Sequence, residues 1–351
     1  MSPGLPAAVE EDLSRQAAAL SERVRASGLY THEVAEFEVA RLVHRWVVPA
    51  LGLTDMGTLT SPESRNIVRK VRRADGTTAA LKVIGNLREP GEAQALAAWA
   101  AHGLPCVWPL AGEENPLVPG AGRVSASYLL TEYIDRPVLL VPDSAGLAQR
   151  ETITRRLTGC VSAFHEAPIA APGCARTWVD RVGAHLRWTL PLVRRARLAE
   201  PARWQDKLAV AAARDGRLLH GDASGANALV VGDGSLMLLD PPGAIRGPRE
   251  ADAGHIVSYV ACAGTRPAEE KAADIAPLVR AACEAAPWLD RPAVSLFAGV
   301  NLLTWAGYFL AGHFNRYAGS AGGGAGAADR IGQASAYLAA AARLLGEGDR
   351  D

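Results

Sequence analysis

The chain has 351 residues, enough to bury one large core or two smaller ones. Its 37 basic residues balance 37 acidic ones, which argues against nucleic acid or an anionic membrane surface as partner. The first residues carry no basic segment followed by an apolar run, and no apolar run is long enough to span a bilayer. The five cysteines (Cys106, Cys160, Cys174, Cys262, Cys283) have no C-x-x-C spacing. A signal peptide, a membrane span, a zinc site and a disulfide framework are therefore not expected, and the expected compartment is a reducing cytoplasm.

In chain order, residues 9–51 read as two helices. The first, Val9 to Ala26, is Ala-rich and stops at Ser27-Gly28. The second begins near Thr31 and places Val34, Phe37, Val43, Trp46 and Val47 near one face. Residues 52–84 read as strands. A hydroxyl-rich loop, Gly57 to Asn66, is followed by a hairpin whose arms run from Ile67 to Arg73 and from Thr77 to Ile84 around Ala74-Asp75-Gly76. Lys82 falls inside the second arm. A lysine in an apolar strand is costly unless it meets a carboxylate or phosphate, and Glu92 follows ten residues later in a helical stretch, with Glu89 as the alternative partner. Ser127 to Ile134 reads as another strand. Helices are expected from Leu147 to Glu166 and from Trp178 to Arg197. In the second of these, Trp178, Val182, Leu186 and Leu190 form a core stripe, and Arg181, Arg187, Arg194, Arg195 and Arg197 form a solvated face.

The most informative stretch runs from Leu218 to Gly243. His220-Gly221-Asp222 is followed by four residues and Asn227, and thirteen residues further on an apolar run ends at Asp240. This spacing is the polar skeleton of a kinase catalytic loop, H-x-D-x-x-x-x-N, with a metal-binding Asp after it. Phosphoryl transfer needs a carboxylate beside the attacking hydroxyl, a part that suits Asp222. It also needs oxygen ligands for Mg2+, which Asn227 and Asp240 supply. Gly232-Asp233-Gly234 between two apolar runs predicts a hairpin that holds Asn227 and Asp240 at neighbouring strand ends.

These residues resemble the aminoglycoside phosphotransferase family of small-molecule kinases, whose pattern runs His-Gly-Asp, four residues, Asn, then an apolar strand ending in Asp. Gly247 and Asp252 extend the match. The chain departs from the family where Ala223, Ser224, Gly225 and Ala226 replace bulkier residues, often Leu-His-Pro-Gly. Gly221 also stands where protein kinases carry the Arg that links the loop to a phosphorylated activation segment. The resemblance implies an α+β, protein-kinase-like two-lobed fold with an N-terminal helical extension (residues 1–51), a nucleotide-binding lobe (52–135) and a helical catalytic and substrate-binding lobe (136–351). It implies Asp222 as catalytic base, Asn227 and Asp240 as Mg2+ ligands and Asp252 as structural. It further implies that Lys82, paired with Glu92, contacts the nucleotide phosphates, and that Thr131, Glu132 and Ile134 lie along the nucleobase. No G-x-x-x-x-G-K-[ST] or G-x-G-x-x-G is present, so Ser61 and Ser64 in the hydroxyl-rich loop are the candidate phosphate contacts.

The acceptor should be chosen by the carboxy-terminal part. Pro292 to Ala328 holds no Asp or Glu but contains Trp305, Tyr308, Phe309, His313, Phe314 and Tyr317. A polycationic aminoglycoside would be met by carboxylates. Rings with polar tips suit a weakly charged sugar-containing or nucleoside-type compound, such as the capuramycin antibiotics on which some family relatives act. Trp305, Tyr308, His313 and Tyr317 are the candidate substrate residues, with Glu250 and Asp222. Ser320 to Ala328 is Gly/Ala-rich and reads as a loop. The expectation is thus an Mg2+-dependent phosphotransferase using ATP or GTP on a small-molecule antibiotic, acting as monomer or homodimer. Aminoglycoside, choline-like or homoserine-like kinases are alternatives, and a silent pseudokinase is an alternative of another class.

Overall fold

The computed structural model describes residues 32–59, 67–84, 91–113, 127–169, 176–201, 204–212, 216–264, 266–310 and 327–345, with residues 11, 12, 15, 16 and 19. Two compact units emerge, one of residues 1–100 and 107–135, the other of residues 101–106 and 136–351. Residues 11, 12, 15, 16 and 19 are helical, within the first expected helix; the rest of that stretch lies outside the described residues.

In the first unit, helix α1 (His32–Ala50) leads into strands β1 (Thr54–Thr58), β2 (Ile67–Arg72) and β3 (Thr78–Ile84). Helix α2 (Glu92–Ala101) precedes β4 (Pro109–Glu113) and β5 (Ser127–Glu132). The strands form one antiparallel sheet in the order β1-β2-β3-β5-β4. The hairpin at Asp75-Gly76 closes as its residues dictate: Gly76 takes φ 82°, and Asp75 Oδ1 accepts the Thr77 N–H at 2.9 Å. Strand side chains alternate between faces, so Ala79, Leu81 and Val83 of β3 share a face with Tyr128 and Leu130 of β5. Ala40, Val43 and Val47 of α1 bury that face. Lys82 and its cross-strand neighbour Leu129 fall on the opposite face. There α2 approaches, with Ala93 and Leu129 both packed against Gly112.

In the second unit, the main helices are α3 (Leu147–Glu166), α4 (Trp178–Arg195), α5 (Trp204–Ala212), α6 (Glu250–Cys262), α7 (Ala268–Ala285), α8 (Arg291–Leu310) and α9 (Ala327–Leu344). The short strands β6 (Arg176–Thr177), β7 (Arg217–Leu219) and β10 (Ile245–Gly247) form one small sheet, and β8 (Ala228–Val230) and β9 (Leu236–Leu238) form a second. Thr177 caps α4 by accepting the Asp180 N–H. The stripe Trp178, Val182, Leu186 and Leu190 is buried, and Trp178 meets Phe297 of α8 edge-to-face at 4.8 Å. Helix α8 packs against α4, α6 and α9. It touches α6 at backbone distance, because Gly254 leaves no side chain between them.

The start of α3 is tied to the end of α6 by Arg150, which is fully buried. Its guanidinium donates to the carbonyls of Ala145, Val260 and Ala263. The last carbonyls of a helix have no partners within it, and a cation at that end satisfies them and complements the helix dipole. Among the described residues no helix is long and apolar enough to cross a membrane, and Cys106, Cys160, Cys262 and Cys283 are free thiols.

Candidate active site

In the first unit, Lys82 projects from β3 to Glu92 in the first turn of α2. Its Nζ donates to Oε1 at 2.9 Å and to Oε2 at 2.8 Å. Both side chains are about nine-tenths buried. The pair places an ammonium with a set direction on the face of β3 away from α1. Of the two candidate glutamates, Glu92 is the one it meets; Glu89 lies outside the described residues.

In the second unit, the chain leaves β7 at Leu219 and enters the loop His220–Asn227. Asp252, in the first turn of α6 and 1% exposed, holds the start of this loop. Its Oδ2 accepts the His220 N–H at 2.9 Å and its Oδ1 the Gly221 N–H at 2.8 Å. His165 Nε2 lies 2.9 Å from Oδ2. Burial pushes the Asp252 carboxyl up, but the His165 contact, the nearby imidazoles of His165 and His220 and the Gly221 amide outweigh it and hold the group below the usual carboxylate value. His220 is buried and spans the loop: its Nε2 lies 2.9 Å from Leu239 O, and its Nδ1 accepts the Asp222 N–H at 3.3 Å. Burial lowers its basicity, which matches a neutral ring that accepts at Nδ1 and donates from Nε2.

Asp222 follows. Asn227 Nδ2 donates to its backbone carbonyl at 3.0 Å and to its Oδ2 at 3.1 Å. His255 Nε2 approaches its Oδ1 at 2.9 Å, an ion-pair distance outside hydrogen-bond alignment. The side chain is surrounded by protein yet 39% exposed, so one side remains open to a reactant. Burial pushes this carboxyl up, while His255, Arg181 and His220 outweigh it and hold it below the usual range, so the proton-accepting form prevails at neutral pH.

The hairpin expected after Asn227 is present. Ala228 pairs with Leu238, and the Leu239 N–H donates to Asn227 O at 2.8 Å. Asp240 is therefore one residue beyond the neighbour of Asn227, at the same end of the hairpin. It adopts φ 57°, a left-handed conformation uncommon outside glycine. Asn227 spends its amide N–H groups on Asp222, which leaves its amide oxygen for another partner. An amide oxygen and a single carboxylate suit a small hard cation that keeps most of its shell as water and phosphate. Among the described residues no group of three or more His, Cys, Asp or Glu side chains could enclose a metal.

The model of the APH phosphotransferase enzyme family matches residues 58–288. The chain belongs to that family. Its fold is the protein-kinase-like α+β fold, and it is a small-molecule phosphotransferase. Similar solved structures include the amicoumacin kinase hAmiN in complex with AMP-PNP, Ca2+ and Ami. That match has a TM-score of 0.55 at 12% identity, covering 86% of this chain and 93% of the other. The choline kinase LicA from Streptococcus pneumoniae matches with a TM-score of 0.54 at 13% identity, covering 86% and 99%. A thermostable mutant of aminoglycoside phosphotransferase APH(4)-Ia, in ternary complex with ADP and hygromycin B, matches with a TM-score of 0.53 at 15% identity, covering 85% and 98%. No curated protein sequence matches the chain.

The small residues that depart from the family pattern have a packing reason. Ala223 and Ser224 are buried, and a Cβ on Gly225 would stand 2.0 Å from the Leu139 carbonyl oxygen. Leu139 in turn donates its N–H to Ala228 O, so this strap is fixed against the loop. Gly225→Ala is expected to displace the 225–227 turn and with it Asn227. Overpacking of this kind typically costs about 1–3 kcal/mol. A lowered melting temperature together with loss of phosphoryl transfer checks it; unchanged melting and turnover would contradict the packing argument.

The other expected site residues have these placements. Glu132 donates its N–H to Trp108 O and accepts the Trp108 N–H on Oε1, so its amide and carboxylate are engaged at the edge of the sheet. Thr131 sits in the ladder opposite Ala80 and Pro109, and Ile134 lies in the half-buried segment just after β5. Glu250 is buried, with Oε1 accepting the Asp290 N–H at 3.4 Å; a carboxylate so enclosed is turned towards the start of α8. Trp305 is half-buried on α8, and Phe309 packs on Tyr337 at 5.1 Å. The side chain of Tyr308, and Ser61, Ser64, His313 and Tyr317, lie outside the described residues, as do residues 320–326 of the expected loop.

Sequence reasoning missed three residues that touch the loop or the carboxylate holding it. Arg181, assigned to a solvated face, donates to Gly221 O. His165, near the end of α3, contacts Asp252, which holds the loop. His255 reaches Asp222. Only His255 left a local signal, since it follows Asp252 by three positions on one helix and so shares its face.

Proposed function

We propose that this protein transfers the γ-phosphoryl group of ATP or GTP to a hydroxyl of a small-molecule antibiotic, inactivating it, in a magnesium-dependent reaction. The observation that carries this reading is the loop geometry: Asp222, half-open to solvent, with Asn227 on one carboxylate oxygen and the amides of the preceding His220 and Gly221 tied to Asp252. In this reading Asp222 orients the acceptor hydroxyl and takes its proton as the new P–O bond forms. Lys82, directed by Glu92, contacts the nucleotide phosphates. Asn227 and Asp240 would hold the divalent ion, which supplies neutralisation of charge on the phosphate oxygens. Such catalysis is mainly positioning and electrostatics, and the chain devotes buried polar contacts to both. The AMP-PNP, ADP and Ca2+ of the similar complexes support an adenine nucleotide donor and a divalent ion. The absence of Asp and Glu from 292–328 supports a weakly charged sugar-containing or nucleoside-type acceptor. The likeness to a choline kinase favours a second reading, a primary-metabolite alcohol as acceptor.

The test is mass spectrometry of phosphoryl transfer. Purified protein is incubated with ATP or GTP, with Mg2+ or with EDTA, against nucleoside antibiotics, aminoglycosides, choline and homoserine. The expected result is a gain of one phosphoryl group on a nucleoside-type compound, in Mg2+ only. A gain on choline or homoserine alone would replace the antibiotic reading with the second. Transfer of equal extent in EDTA would refute the metal role.

A further inference from the structure

We propose that His255 is a positioning residue for the base: it holds Asp222 Oδ1 while Asn227 holds Oδ2, so that two separate elements set the torsion of the carboxylate. The proposal rests on reading Asp222 as the base.

The first support is contact geometry. The carboxylate has different partners on its two oxygens, Asn227 Nδ2 at 3.1 Å on Oδ2 and His255 Nε2 at 2.9 Å on Oδ1. Asn227 belongs to the same short loop as Asp222 and moves with it. His255 belongs to α6, an independent element. The Asp222 side chain is 39% exposed whereas that of His255 is 16% exposed. Packing alone therefore does not set the Asp222 torsion, and the better-buried partner is the one able to impose it.

The second support is the placement of neighbouring groups on α6. Asp252, His255 and Tyr259 stand at intervals of three and four, an arc of about 60° on one helix face. Each meets a different part of the catalytic loop. Asp252 holds the amides of His220 and Gly221. Tyr259 lies against Gly225, its ring edge 3.6 Å from where a Cβ on that glycine would stand. His255, between them on the helix, meets the side chain of Asp222. One rigid helix thus registers both ends of the loop and the functional group at its centre. Helix α6 is itself seated by Gly254 against α8 and by Arg150 at its carboxy end, so an error in the base's position would require the helix to move. A misplacement of about 1 Å at a reacting group can cost a hundredfold in rate.

The test uses the full chain. His255→Phe keeps an aromatic ring and removes Nε2; His255→Gln restores an N–H at similar reach. Crystal structures of both are compared with the wild type, and hydrolysis of MgATP to water is followed by phosphate release, with ATP as the only probe. In His255→Phe the Asp222 carboxylate should leave its single rotamer, and kcat for phosphate release should fall about 10- to 100-fold. The KM for ATP should stay within about twofold, because a positioning loss acts on the transition state rather than on nucleotide binding. In His255→Gln the rotamer and most of the rate should return. An unmoved Asp222 in His255→Phe overturns the proposal, and so does equal impairment of the Phe and Gln variants. A displaced Asp222 with phosphate release at the wild-type rate leaves the positioning role standing and removes Asp222 as the base, so the two failures are distinct. If His255→Phe does not fold, His255→Ala takes its place in both measurements.

Discussion

Asp222→Asn is expected to abolish phosphoryl transfer while leaving nucleotide binding intact. The substitution is nearly isosteric, so the loop should keep its shape: Asn227 still has a side-chain oxygen to donate to, and Asp252 still holds the amides at His220 and Gly221. What is lost is a group that can accept a proton and carry negative charge beside the acceptor hydroxyl. Loss of a positioned general base typically costs about 100- to 10,000-fold. The variant should therefore bind MgATP in calorimetric titration with an affinity close to wild type and give no phosphorylated product by mass spectrometry. Near-normal turnover would sink the base assignment. Loss of nucleotide affinity alongside turnover would instead assign Asp222 to holding the nucleotide or its metal.

Asp252→Asn is expected to produce the largest loss of stability, with a dependence on pH that identifies its cause. The carboxylate accepts two amide N–H groups and meets His165 in a site where both side chains are 1% exposed. An Asn there can accept on one oxygen only, and its amide N–H groups would face a backbone donor. Breaking such a buried charged contact costs about 3–5 kcal/mol. The folded state holds the Asp252 carboxyl below the ordinary carboxylate range. A depressed carboxyl contributes stability that is fully present above the unfolded value and is lost as pH falls through the folded one. Urea unfolding of wild type and variant should accordingly differ most at neutral pH, and the gap should narrow below about pH 4. Parallel stability curves down to acid pH would show that shape, not charge, is what Asp252 contributes. The variant should also lose turnover, since His220 and Gly221 lead directly into Asp222.

Much of the candidate site is legible in the amino-acid order alone, because its spacing is local. The positions of His220, Asp222, Asn227 and Asp240 follow from a turn and a hairpin. Two apolar runs around Gly232-Asp233-Gly234 suffice to expect Asn227 and Asp240 at one hairpin end, where the pairing puts Leu239 against Asn227. Lys82 is recognisable as a cation within an apolar strand, and a helical glutamate ten residues later as its partner. The stripes of Trp178, Val182, Leu186 and Leu190 and of Val43 and Val47 are likewise periodic, and they are buried.

The sequence by itself thus determined the chemistry available: a carboxylate, an amide and a second carboxylate at kinase spacing, and a buried lysine in need of an anion. Only the tertiary structure decided who holds them. Asp252 reaches the loop from about thirty positions away and His165 meets Asp252 across 87, while Glu132 is captured by Trp108 across 24. Period and turn propensity report which side of an element a residue occupies, because they arise within that element. Which partner waits on that side is set by how separate elements pack, here α6 against the loop and β4 against β5. That choice is made by close approach and buried polar satisfaction over the whole chain, and no short stretch of sequence carries it.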